Sequence, residues 1–330
     1  MRLLLIVSLA AFGVVASTNA DDSALVKGRA LSEAFLGRDM SQIWPAMTPE
    51  LRAALGDPAT LRNLRNQLEQ THGAEADAPQ EDVQDQGEIQ TYRRTAQWTK
   101  SGTQLVMQWS FDPQGKIAGF FVRPAQTVAE SRFLDYQTKA VLRVPFRGEW
   151  FVFWGGRTLE QNYHAADKAQ RFALDLLIRK NGASYAGDAA KLDSYHCWDQ
   201  PILAPAEGVV AGAVDGLRDQ PIGEGNPKNP AGNHVILDLG KGEFAFLAHL
   251  RKGSVTIEPG DQVTTGQELG KCGNSGNSSE PHLHFHLQTT PDLRAGEGLP
   301  AFFENYRADG KMVGRGEPIQ GQVVAPASPN

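Results

Sequence analysis

The segment Pro281-His282-Leu283-His284-Phe285-His286 constrains this chain of 330 residues more than any other. Read as a strand, it sets His282, His284 and His286 on one face and Leu283, Phe285 and Leu287 on the other. Three imidazoles side by side do not serve as core packing, because each would bury a polar ring that needs a partner. The strand is fed by a Gly/Ser/Asn-rich turn running from Gly270 through Cys272, Gly273, Asn274, Ser275 and Gly276 to Glu280 and ending at Pro281. A flexible turn leading into a His-x-His strand suits the rim of an open metal site.

Other residues invite the same chemistry. Asp175 interrupts the apolar run Phe172 to Ile178, and a buried carboxylate there is costly unless a cation accompanies it. His164 precedes it in Asn162-Tyr163-His164. A second pair, His196 and Asp199, lies in Tyr195-His196-Cys197-Trp198-Asp199, directly before Pro201. His249 alternates with Leu247 and Ala245, opposite Phe244, Phe246 and Leu250. His234 is expected to pack or cap a hairpin, and His72 to be a solvated surface residue.

The amino terminus narrows the compartment. Met1-Arg2, an apolar run from Leu3 to Val15, and small residues ending at Ala20 read as a cleaved secretory signal peptide. The apolar run is too short to span a bilayer as a helix, and no later segment is apolar enough to do so. The mature chain is therefore expected to be periplasmic or extracellular. A formal charge of −6 argues against nucleic acid, which selects a basic face.

Residues 21–125 read as helices followed by an antiparallel meander, an α+β module. Thr48-Pro49-Glu50-Leu51 looks like a helix cap with proline in the first turn, and Leu25, Ala30, Leu31, Ala34 and Phe35 approximate a helical stripe. Asp112-Pro113-Gln114-Gly115-Lys116 reads as a hairpin turn. Residues 126–136 are polar and read as a linker. From Val141 the text turns β-rich, with Glu149 to Trp154 reading as a core strand, and 321–330 reads as a flexible tail.

Taken in order, several pieces resemble the lysostaphin-type zinc metallopeptidases, which cut peptidoglycan cross-bridges. The Gly273-Asn274-Ser275-Gly276 turn running into Pro281-His282-Leu283-His284-Phe285 looks like that family's signature. Pro201 to Val210, Asn233 to Asp238 and Leu247-Ala248-His249-Leu250 are similar to its successive strands. The resemblance spans roughly residues 137–295. It implies a mostly β catalytic domain of antiparallel sheets over 137–320, preceded by the small α+β domain.

It also implies zinc, held by three protein ligands with a fourth position for water. By the family pattern His284 is one ligand, and a His/Asp pair upstream supplies the other two. His164 with Asp175 fits a subgroup with extended His-to-Asp spacing, whereas His196 with Asp199 is one residue shorter than the usual separation. We take His164 and Asp175 as the expected pair and keep His196 and Asp199 as the alternative.

His249 and His282 then take the catalytic duties, one accepting a proton from metal-activated water and the other stabilising the tetrahedral oxyanion. His286 stands where the family usually has Glu, and either orients His284 or makes a structural hydrogen bond. The family fold brings Cys197 near Cys272, which either pair or remain buried thiols. The implied substrate is a peptidoglycan peptide. The competing expectations are a silent regulator of wall amidases and a peptidase acting on glycine-rich secreted proteins.

Overall fold

The structure, a computed structural model, describes residues 18–76, 78–85 and 89–328. The expected signal peptide lies outside them, apart from Thr18–Ala20, which open the first helix. Among the described residues no helix is long and apolar enough to cross a membrane. The chain divides into two compact units, Met1–Ala125 and Gln126–Asn330.

In the first unit four helices precede a four-stranded antiparallel meander. The helices are α1 (Thr18–Leu36), α2 (Ile43–Ala46), α3 (Pro49–Leu55) and α4 (Ala59–His72). The strands β1 (Gln80–Asp85), β2 (Gln90–Gln97), β3 (Gln104–Phe111) and β4 (Ile117–Pro124) pair in sequence order. Thr48 caps α3 by accepting from the Leu51 N–H at 3.2 Å, with Pro49 in the first turn as its fixed φ favours.

The buried stripe of α1 is Ala24, Leu31 and Phe35, while Ala30 faces solvent. Gly28 belongs to that stripe because a Cβ there would sit 2.1 Å from the Tyr92 ring. At the β3–β4 turn, Asp112 Oδ1 accepts from the N–H groups of Gln114 and Lys116. His72, expected to be a solvated surface residue, is half-buried, with Nδ1 bonded to Ser101 and its ring edge-on to Trp98.

The second unit is mostly β. Its main sheet is antiparallel throughout, in the order β11 (Gln262–Val263), β8 (Gly208–Val214), β9 (Asn233–Asp238), β10 (Phe244–Leu250), β13 (Leu283–Gln288), β6 (Leu174–Leu177), β5 (Trp150–Trp154), β17 (Val323–Pro326), β15 (Phe303–Ala308) and β16 (Lys311–Gly316). A short β14 (Gly298–Leu299) pairs with β13, and β7 (Pro201–Leu203) pairs separately with β12 (Glu268–Lys271). Leu174, Leu176, Leu247, Leu283, Phe285, Leu287 and Phe303 fill one continuous core. β13 is the strand that matters, because its apolar residues enter that core while its histidines face the other way.

Two expectations about connecting segments are corrected. The segment 126–136, read as a linker from its polarity, is fastened to the second unit. The Ala129 N–H donates to Ala165 O at 2.7 Å, Arg171 Nε donates to Ala129 O at 3.0 Å, and Phe133 and Tyr136 pack against the core. The buried Glu243 carboxylate completes the attachment by accepting from Tyr136 Oη and the N–H groups of Lys139 and Ala140. Within the expected flexible tail, the strand Val323–Pro326 is not loose either. Val323–Pro326 enters the sheet between β5 and β15, with Val324 fully buried. A four-residue strand surrounded by polar and proline residues carries too little periodicity to be read from sequence. Val324→Ala should lower unfolding free energy by about 2 kcal/mol in chemical denaturation, as for a well-packed core methyl pair.

Candidate metal centre

The register of the sheet builds the site. β13 pairs with β6 so that His284 lies opposite Asp175, and with β10 so that His284 lies opposite Ala248. Asp175 thus enters from a strand whose four residues are all buried. His164 comes from a 3₁₀ turn, Tyr163–Ala166, whose entry is held by Asn162. The Asn162 Oδ1 accepts from the His164 N–H at 3.1 Å, while its Nδ2 donates to Ala173 O at 3.0 Å and Gly156 O at 3.2 Å. Asn162 therefore ties the His164 turn to the residue just before β6, fixing its distance from Asp175.

His164 Nε2 lies 3.0 Å from Asp175 Oδ2, and His284 Nδ1 lies 2.8 Å from Asp175 Oδ1. All three side chains are buried, and among the described residues their ligand atoms form a group within 4.8 Å of one another. Two imidazoles and one carboxylate are the donor set of an open zinc site. Burial alone would raise the Asp175 carboxyl, but the neighbouring imidazoles, His164 first and then His282 and His284, outweigh it and hold Asp175 well below the ordinary carboxylate range. Burial also pushes the His284 imidazole down, against the pull of Asp175. An ionised carboxylate beside a neutral imidazole is the state that receives a cation.

His282 and His249 flank this group. His282 Nε2 is 3.6 Å from Asp175 Oδ1, and its Nδ1 is 2.8 Å from Glu280 O. A carbonyl only accepts, so Nδ1 carries the proton and Nε2 presents its lone pair toward the group. His249 Nδ1 donates likewise to Ser275 O at 2.9 Å. The His249 and His282 rings are 4.7 Å apart, and His249 and His284 5.8 Å. Burial, then the neighbouring His282 and His284, push His249 well below its ordinary value, so it stands neutral.

Simple alternation is not what aims His249. It has φ +63° at a bulge in the β9–β10 pairing between Leu247 and Leu250. A bulge re-aims a side chain, here at the expense of a left-handed backbone that a residue with a Cβ adopts reluctantly. The position is held because the His249 N–H donates to Ala231 O, and the loops at 230–232 and 275–276 touch. Gly276 permits that contact, since a Cβ there would lie 2.4 Å from Gly232 N. His249→Gly should accordingly be more stable than His249→Ala by about 1 kcal/mol in thermal denaturation, although it removes more of the side chain.

The alternative ligand pair is not brought to His284. Asp199 forms ion pairs with Arg251 at 3.1 Å and Lys271 at 3.4 Å, and the His196 N–H donates to Ser184 O. His234 is buried with Nδ1 bonded to Gly232 O at 2.7 Å. Cys197 and Cys272 are buried thiols; Cys197 Sγ donates to Pro281 O, and burial pushes the Cys272 thiol up. Asn162 and Gln288 shape the site without having been singled out beforehand, and Ser275, named as part of the signature turn, does so by accepting from His249. Only Gln288 carried a sequence signal, as the next residue in the alternation His282, His284, His286.

Residues 193–295 match the model of peptidase family M23. That stretch contains His249, His282 and His284, whereas His164 and Asp175 precede it and are joined to it by the fold. The chain is 31% identical over 94 residues to the cell division protein DipM of Caulobacter vibrioides, covering 28% of this chain and 13% of that one. It is 37% identical over 87 residues to the peptidoglycan DD-endopeptidase ShyA of Vibrio cholerae, covering 26% and 18%. The chain thus spans less than a fifth of either curated relative. Among solved structures, the catalytic domain of lysostaphin from Staphylococcus simulans aligns at 18% identity and a TM-score of 0.28, covering 45% of this chain and 86% of that domain.

Proposed function

We propose that this chain is an exported zinc endopeptidase that hydrolyses peptide cross-bridges of peptidoglycan, a reading supported by the match of residues 193–295 to peptidase family M23. The observation that carries the reading is the convergence of four separate segments, which group His164, Asp175 and His284 and set His249 and His282 beside them. The shared stretch with a relative named for peptidoglycan endopeptidase activity supports the substrate class.

In this reading His164, Asp175 and His284 hold the metal. Zinc, when bound, polarises a carbonyl and lowers the pKa of coordinated water toward neutrality. The chain supplies the proton chemistry. With their Nδ1 protons held by backbone carbonyls, His282 presents Nε2 toward the group and His249 keeps its Nε2 unprotonated in a ring beside it. A neutral Nε2 accepts the proton of the attacking water, and the protonated ring on the other side donates to the tetrahedral oxyanion. A regulator that acts by contact alone has no use for five converged side chains in these states.

The purified full chain should contain one zinc per molecule by metal analysis and cleave peptidoglycan peptides. Zinc at that stoichiometry without hydrolysis of sacculi, but with cleavage of a glycine-rich peptide, would move the substrate to secreted proteins.

A further inference from the structure

We infer that Gln288 and His286 are positioning residues that fix the tautomer of His284, so that its Nδ1 is presented as a bare lone pair to the metal. The inference rests on the metal-site reading above and adds to it a relay running away from the site along β13.

The relay can be read from its far end. Gln288 is fully buried, and its Nε2 donates to Thr290 O and to Asp292 O, both at 2.7 Å. Backbone carbonyls accept only, so the amide has one permitted orientation and its Oε1 faces His286. Gly296 packs against this amide closely enough that a Cβ there would lie 2.7 Å from Gln288 Cδ. His286 Nε2 is 3.3 Å from Gln288 Oε1, and an acceptor oxygen requires that Nε2 carry the hydrogen. His286 is buried and its ring nitrogens meet only Gln288 and His284, so a charged ring would lack a bonded counterion; the ring is neutral and Nδ1 is left as an acceptor.

His286 Nδ1 is 2.9 Å from His284 Nε2, which must therefore donate. His284 then has no proton on Nδ1. Phe246 lies flat on His286, with centroids 4.5 Å apart and planes at 11°, and keeps the ring aligned with both partners.

The consequence falls on Asp175. His284 Nδ1 and Asp175 Oδ1 face each other at 2.8 Å, and with the relay in place both are acceptors. Two lone pairs at that distance repel unless a cation lies against both. The relay thus turns what would be an ordinary imidazole–carboxylate hydrogen bond into a pair of metal-directed donors.

The test uses the full chain in metal-free and zinc-loaded forms. In nitrogen–proton spectra of the metal-free wild type, His284 should carry its proton on Nε2. A dominant Nδ1–H tautomer would overturn the inference, whether or not the protein binds zinc. His286→Phe keeps the stack on Phe246 but removes the acceptor, and Gln288→Leu removes the anchor. Each should weaken zinc about ten- to a hundredfold in chelator competition. His286→Gln, which offers an amide oxygen to the same N–H, should restore the affinity. Unchanged affinity in both His286→Phe and Gln288→Leu, in a protein whose wild type binds zinc, would equally overturn it. A wild type that binds no zinc but shows the Nε2–H tautomer would instead strike the metal reading and leave the relay standing.

Discussion

Replacing His249 or His282 with Ala is expected to leave zinc bound while slowing hydrolysis about a hundredfold or more, the usual loss when a positioned acid or base is removed. The contrast follows from where their atoms lie. Neither ring is in the group formed by His164, Asp175 and His284, yet both stand beside it, His282 with Nε2 3.6 Å from Asp175 Oδ1 and His249 with its ring 4.7 Å from His282. Metal content and rate, measured on the same preparations, separate the two roles. Zinc lost from His249→Ala or His282→Ala would make that histidine a ligand, and wild-type rates in both would remove the catalytic assignment even with zinc present.

Removing Asp175 should have the larger structural effect. Asp175 contacts His164, His282 and His284, so Asp175→Ala takes away the carboxylate about which the site is arranged. Bound zinc should fall from one per chain toward none. At free zinc a thousandfold above its dissociation constant, the wild type should gain about 4 kcal/mol of stability on metal addition and Asp175→Ala none. His196→Ala and Asp199→Ala should keep both zinc and the stabilisation, because Asp199 is engaged by Arg251 and Lys271 instead. Zinc retained by Asp175→Ala and lost from Asp199→Ala would reverse the choice of ligands.

The parts of the molecule that could be read in advance are those where a local period and a physical cost coincide. Leu283, Phe285 and Leu287 on one face and His284 and His286 on the other follow from the two-residue repeat of a strand, and the structure buries the apolar set in the core. Asp175 stood out because a carboxylate inside an apolar run needs a partner, and three histidines surround it. The Thr48 cap and the Asp112 turn are equally local devices.

What could not be read depends on contacts remote in sequence. The 3₁₀ turn that delivers His164 is set by Asn162 bonding to Ala173, and nothing in the spacing of His164 and Asp175 displays that bond. The aim of His249 comes from a bulge that strand alternation hides. The 126–136 segment and Val324 look dispensable by composition, yet their partners, Glu243, Ala165 and the strand at Trp150, lie far along the chain. The terminus of the Gln288 relay is legible only once the backbone places two carbonyl oxygens against one amide.

Metal-dependent cleavage of peptidoglycan peptides is tested most directly by digestion of purified sacculi with the zinc-loaded full chain. New α-amino groups should be released, should cease to form after zinc is chelated, and should form again when zinc is restored. Sacculi that yield no new amino groups in the presence of zinc-loaded protein, or that yield as many after chelation, would contradict it.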